Sequence, residues 1–161
     1  MMNFRNIKIA LVVFLMTTFV NSFAQSSAGV EKTMNELVKK HEATSGVNCM
    51  TVVKGGGLEM LKMMLKKEFG KDFMKGVTSI TIIDYSDATE TVCKILHKDL
   101  DIFLSLLDEF DVSEEKQFAD NDYIRCFAST SESNTISDFV IALENDKSKM
   151  VMYMAGKIVI D

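Results

Sequence analysis

The chain has 161 residues, 47% of them hydrophobic and 25% charged, with 18 Lys+Arg against 23 Asp+Glu. That balance excludes a disordered chain and a multi-pass membrane protein, and the length suits one domain with one core. A net charge of −5 without a basic block disfavours nucleic acid and anionic lipid as partners, and the absence of proline excludes PxxP ligands and polyproline linkers.

Met1 to Lys8 is a short polar start carrying Arg5 and Lys8. Ile9 to Val20 is an apolar run interrupted only by Thr17 and Thr18, and Ser22-Phe23-Ala24 places small residues at the third and first positions before Gln25. These are the parts of a secretory signal cleaved after Ala24. Residues 1–24 are therefore expected to be removed, leaving 25–161 as a single domain with 16 bases against 23 acids. The apolar run falls short of the roughly 20 residues that a membrane span needs. No cysteine precedes Cys49, so a lipid-bearing N-terminal cysteine is not expected. The mature chain is expected in the periplasm or outside the cell, without a transmembrane span and not as a lipoprotein.

Val30, Met34, Leu37, Val38 and His41 form one stripe of a helix near 29–43. A short strand follows over 47–53, and Gly55-Gly56-Gly57 breaks it. Leu58, Leu61, Met64 and Leu65 predict a helix near 58–69, with Lys62, Lys66 and Lys67 on its wet side. One more helical turn is expected around Phe73, between Gly70 and Gly76. Val77 to Tyr85 is the clearest strand. Asp87 and Glu90 resemble a capping box for a helix that carries Val92, Leu96, Leu100, Phe103, Leu107 and Phe110. Asp111 to Asp122 is an acidic loop, and strands are expected over 123–129, 136–143 and 149–155, turning at Asn134 and at Asn145-Asp146.

The expected architecture is α+β, in the order α-β-α-β-α-β-β-β. About three helices pack with one mixed or antiparallel sheet of about five strands, and the long first connections leave room for parallel pairs. The strands near 136–143 and 149–155 are apolar on both faces, which requires cover on both sides. Either helices supply both covers or one face meets a partner. Val151 and Tyr153 on one side, with Met152 and Met154 on the other, are the candidate interface residues.

The signal ending Asn21-Ser22-Phe23-Ala24-Gln25, the segment Gly76-Val77-Thr78-Ser79-Ile80, and the closing pair Ile136-Ser137-Asp138-Phe139-Val140 and Met150 to Ile158 carry a likeness that spans most of the mature chain. With them the chain resembles the small exported Bacteroidota proteins grouped as domain of unknown function 4252. The resemblance implies an envelope location and an α+β domain, and no particular activity. Many relatives look like lipoproteins, and this chain departs from them in lacking the lipid-bearing cysteine.

Gly55-Gly56-Gly57 is neither a P-loop nor a dinucleotide fingerprint, and Glu59 in the next turn would repel phosphate, so it reads as a flexible turn. Cys49, Cys93 and Cys126 allow at most one bridge, and buried thiols are the simpler expectation. Cys93 and His97 stand four apart on one helix, a spacing that suits a metal or a thiolate–imidazole pair, but no third ligand is nearby. Met60, Met63 and Met64, with Met150, Met152 and Met154, form two clusters that could hold Cu(I), as thioethers do, although core packing is the plainer expectation. Ser113-Glu114-Glu115-Lys116 matches S-x-x-K without its partner motifs, and the acids Asp108, Glu109, Asp111, Glu114 and Glu115 lack EF-hand spacing. No catalytic residues and no cofactor are expected. The reading is an exported, non-enzymatic domain that binds an envelope protein or a second copy of itself. The alternative is a periplasmic copper protein using the methionines and Cys93/His97.

Overall fold

The computed structural model describes residues 27–110, 123–132 and 135–159. Four helices and six strands follow in chain order: α1 (Ser27–His41), β1 (Asn48–Val52), α2 (Gly56–Phe69), α3 (Lys71–Gly76), β2 (Val77–Asp84), α4 (Glu90–Leu104), β3 (Asp108–Phe110), β4 (Tyr123–Glu132), β5 (Thr135–Glu144) and β6 (Lys149–Val159). The strands form one sheet in the order β1-β2-β6-β5-β4-β3, and every neighbouring pair is antiparallel. The fold is α+β, as expected, with one strand and one short helix more.

The parallel pairs that long connections would allow do not form, for a geometric reason. Between β1 and β2 the chain makes two helices, turning at Gly70 (φ 88°), and so returns to the sheet end that it left. A single-helix crossover does occur. It carries α4 from β2 to β3, which lie four positions apart in the sheet, so their common direction creates no parallel pair.

Alternation along the strands divides the core in two. Ile80, Cys126, Phe139, Ile141 and Met154 face α2 and α3, where they meet Leu58, Phe69, Phe73 and Met74. Phe69 and Phe73 stack at 5.1 Å, and both set their rings edge-on to Phe139, at 6.0 and 5.4 Å. Ile83, Phe127, Val140, Val151 and Tyr153 face α1 and α4, where they meet Val30, Met34, Leu96, Leu100 and Phe103. Helices therefore cover both faces of the sheet, the first of the two arrangements that doubly apolar strands permit.

Several local expectations change. The fourth helix stops at Leu104, and Asp108–Phe110 is a strand instead of its last turn. Thr89, not Asp87, caps that helix, its hydroxyl accepting from the Val92 amide at 3.4 Å. Met64 points outward and Lys62 is largely tucked in, because Leu58, Leu61, Leu65 and Phe69 set the inward face of α2. Gly76 and Gly156 pass so close that a Cβ on either would fall about 2 Å from a carbonyl oxygen across the β2–β6 pair, so only glycine fits there. The acidic stretch 111–122, with Ser113, Glu114 and Glu115, and the N-terminal segment lie outside the described residues. Among the described residues no helix is long and apolar enough to cross a membrane.

Candidate functional site

Between α4 and the outer end of β4, β5 and β6 lies an open groove of about 210 Å³, lined by Tyr85, His97, Asp101, Arg125 and Glu144 above an apolar floor. His97 stands edge-on to Tyr85 at 5.6 Å. Its Nε2 lies 3.3 Å from a Glu144 carboxylate oxygen, off the line of a hydrogen bond, and this buried nitrogen has no hydrogen-bond partner. Lys149 Nζ approaches Glu144 at 4.0 Å and Cys93 Sγ at 3.8 Å. Arg125 makes a two-point fork to Glu109, at 2.7 and 2.9 Å. Burial, then the nearby Glu144 and Cys93, push the Tyr85 hydroxyl well above the ordinary phenol range. Glu144 faces His97 and Lys149, while Arg125 turns to Glu109, outside the lining.

Cys93 and His97 share α4, as their spacing requires, but their contacts diverge. The buried Cys93 thiol donates to the Ala88 carbonyl at 3.8 Å, while His97 turns to Tyr85 and Glu144. Among the described residues no three His, Cys, Asp or Glu side chains gather as a metal would need. Cys49, Cys93 and Cys126 are free thiols. Burial, with Glu109 adding to it, pushes the Cys126 thiol up to about 12, so it stays protonated and inert near neutrality. Burial and then Glu42 raise Cys49 as well.

Two polar clusters escaped sequence reading. Asp138, wholly buried in β5, accepts from Tyr153 Oη (2.6 Å), Ser129 Oγ (2.5 Å) and Ser137 Oγ (3.0 Å). A register shift between Ile136 and Asp138 places it among these hydroxyls. Burial first, then Asp138, raises the Tyr153 hydroxyl far above its usual value. The second cluster ties α1 to α4. Lys40 Nζ and His41 Nε2 reach the two oxygens of Asp99 at 2.8 and 2.7 Å. The Lys40 hydrogen bond leads in holding the Asp99 carboxyl below the ordinary range, against some burial, with His41 assisting. A charged residue midway along a doubly apolar strand was the one available signal for Asp138. Both clusters are fully partnered and join elements, which suits structure better than reaction.

The interface expected on β6 is corrected. Val151, Tyr153 and Met154 are buried and Met152 is half-buried, because α1 with α4 and α2 with α3 lie over the two faces. The exposed apolar surface is elsewhere. Met60, Met63 and Met64 on α2 are 61%, 73% and 65% exposed, on the side opposite Leu58, Leu65 and Phe69. These methionines and the Cys93–His97 pair lie on opposite sides of the sheet, so no single metal site joins them. Around the methionines, residues 54–76 carry six lysines and three acids, a local +3 in a chain of net −5. Lys66, Lys67, Lys71 and Lys75 are exposed and, among the described residues, without an ion-pair partner. No family model, no curated protein and no solved structure matches the chain.

Proposed function

We propose that the chain is exported, is cleaved after Ala24, and works as a non-enzymatic binding module whose contact surface is the outer face of α2. The single observation that carries this reading is the exposure of Met60, Met63 and Met64 at one-turn spacing on a helix whose opposite face is already buried. Singly exposed apolar residues such as Ile95 and Ile102 are ordinary, whereas a contiguous group on one helix is the mark of a contact site. Unbranched thioether chains adapt to the surface that they meet. The signal-like start, and the likeness to the exported family of unknown function, support an envelope setting.

A copper reading keeps one favourable observation, the same three exposed thioethers. It loses Cys93 and His97, which sit across the sheet. Cu(I) titration of the Met60→Leu/Met63→Leu/Met64→Leu variant separates the two, since only the copper reading requires stoichiometric uptake that this variant abolishes.

Methionine oxidation read by mass spectrometry tests the contact surface. In the purified protein Met60, Met63 and Met64 should oxidise quickly while Met34, Met74 and Met154 lag. In intact envelopes the first three should be protected. Equal rates in both settings would remove α2 as a contact surface. The same spectra report the N-terminus, expected at Gln25, and a chain that still begins at Met1 or Met2 would remove the export reading.

A further inference from the structure

α2 presents two apolar sides. Its inner side, Leu58, Leu61, Leu65 and Phe69, rests on the sheet. Its outer side is Met60, Met63 and Met64 with Lys67 among them. A helix with apolar side chains on two sides normally buries both, and this one is covered on one side only. The outer side is a convex ridge, not a groove, so it offers no slot for a partner helix or strand.

The charge around the ridge narrows the choice of occupant. Residues 54–76 hold Lys54, Lys62, Lys66, Lys67, Lys71 and Lys75 against Glu59, Glu68 and Asp72, while the rest of the chain is net −8. Among the described residues, Lys62 alone of these is tied to an acid, Glu59, at 3.6 Å. Whole-chain charge disfavours an anionic partner, but a field screened over about 10 Å is set by the nearest charges, and here those are lysines. An isologous pair of copies would set these lysines against one another. Nucleic acid would use the lysines but not the methionines, and the aromatic rings of this layer, Phe69 and Phe73, are buried and cannot stack on bases. A lipid surface uses both: apolar chains enter the headgroup boundary and the ammonium groups meet phosphates.

We propose that the outer surface of α2 and α3 docks on an anionic phospholipid membrane, with Met60, Met63 and Met64 entering the headgroup layer and Lys66, Lys67, Lys71 and Lys75 meeting its phosphates. This rests on the reading of α2 as the contact surface and names its partner. Docking is peripheral. The helix lies along the membrane plane with its inner side still on the sheet, so the domain need not open to bind.

The test uses the protein as the cell releases it, sedimented with vesicles of phosphatidylcholine containing phosphatidylglycerol, or of phosphatidylcholine alone. Binding to the anionic vesicles only, weakened by salt, is expected. Lys66→Glu/Lys67→Glu/Lys71→Glu should weaken it about a hundredfold, since each lysine near such a surface is worth roughly fivefold. Met60→Ser/Met63→Ser/Met64→Ser should weaken it about tenfold or more, with circular dichroism unchanged. Should a triple variant fail to fold, Lys67→Glu alone, with about a fivefold loss, and Met63→Ser alone, with about a twofold loss, are read instead. Equal binding to both vesicle types would overturn the proposal, pointing instead to a retained N-terminal apolar run. So would binding that neither substitution changes, or equally tight binding to duplex DNA that ignores the methionines. If anionic vesicles fail while Met60, Met63 and Met64 stay protected in intact envelopes, the lipid proposal falls and the contact surface stands. If the protection is absent too, both fall.

Discussion

The two helical layers use the same sheet in opposite ways. α1 and α4 carry five lysines and five acids, and six of these ten charges pair within the layer. Lys32 meets Glu36 at 3.9 Å, Lys94 meets Glu90 at 2.7 Å, and Lys40 with His41 closes on Asp99. α4 is capped by Thr89, and Phe103 sets its ring edge-on to Tyr153 at 5.9 Å. α2 and α3 have glycine at their leading ends, with no side-chain cap, and leave four lysines and three methionines turned outward. One layer pairs most of its charge internally. The other, among the described residues, pairs only Lys62 with Glu59. Stability is therefore expected to concentrate in the first layer, and recognition in the second.

The largest expected effect lies beneath the first layer. Asp138→Ala removes the acceptor shared by Tyr153, Ser129 and Ser137, leaving the Tyr153 hydroxyl without a partner and the two serines with only each other, at 2.9 Å. It should cost about 3 kcal/mol or more by denaturant unfolding. Tyr153→Phe, which removes one donor and keeps the ring against Phe103, should cost about 1 kcal/mol. Equal costs would mean that the carboxyl is not the hub of this cluster.

Truncations of similar chemistry sharpen the contrast. Leu96→Ala, wholly buried in α4, should cost about 3 kcal/mol. Leu61→Ala, half-buried in α2, should cost about 1 kcal/mol. Reversal of that order would erase the distinction between the layers.

The tie between α1 and α4 has a pH signature. The Asp99 carboxyl is held below its unfolded value of about 3.9, so its contribution is complete above that pH and is lost as pH falls through the lower folded value. Asp99→Asn should cost about 1 kcal/mol near neutrality. The gap from the parent should close as pH drops below about 4. A gap that stays constant into strong acid would remove the ion pair as its source. At the small end, Met60→Ser/Met63→Ser/Met64→Ser should move stability by no more than about 0.5 kcal/mol, because these side chains leave water for nothing in the free protein.

Much of this contrast is legible in the sequence, and some is not, for physical reasons. Val140 to Leu143 and Val151 to Tyr153 are apolar at odd and even positions alike, and alternation alone then demands two covered faces. Which cover would serve was not written there, because a helix and a partner leave the same pattern. β3 was missed because Asp-Glu-Phe has no strand signature of its own. It exists through pairing with β4 and is tied there by the Arg125–Glu109 fork. Met64 was misplaced because Met suits either side of a helix, whereas Leu58, Leu61 and Phe69 decide the inward direction only once the sheet is present. The Asp138 cluster depends on a register shift, and pairing register is not a local property of the sequence. The charge of residues 54–76 was in plain view, but the whole-chain average conceals it until α2 and α3 bring the lysines onto one layer.

Amide hydrogen exchange, followed by mass spectrometry with and without vesicles containing phosphatidylglycerol, tests the division of labour most directly. α4 is expected to exchange slowest of the helices in the free protein, with α2 opening locally. Vesicles are expected to slow exchange over 56–76 while leaving 27–41 and 90–104 unchanged. Slowing confined to α1 and α4, or α2 already as protected as α4 and indifferent to the vesicles, would contradict that division.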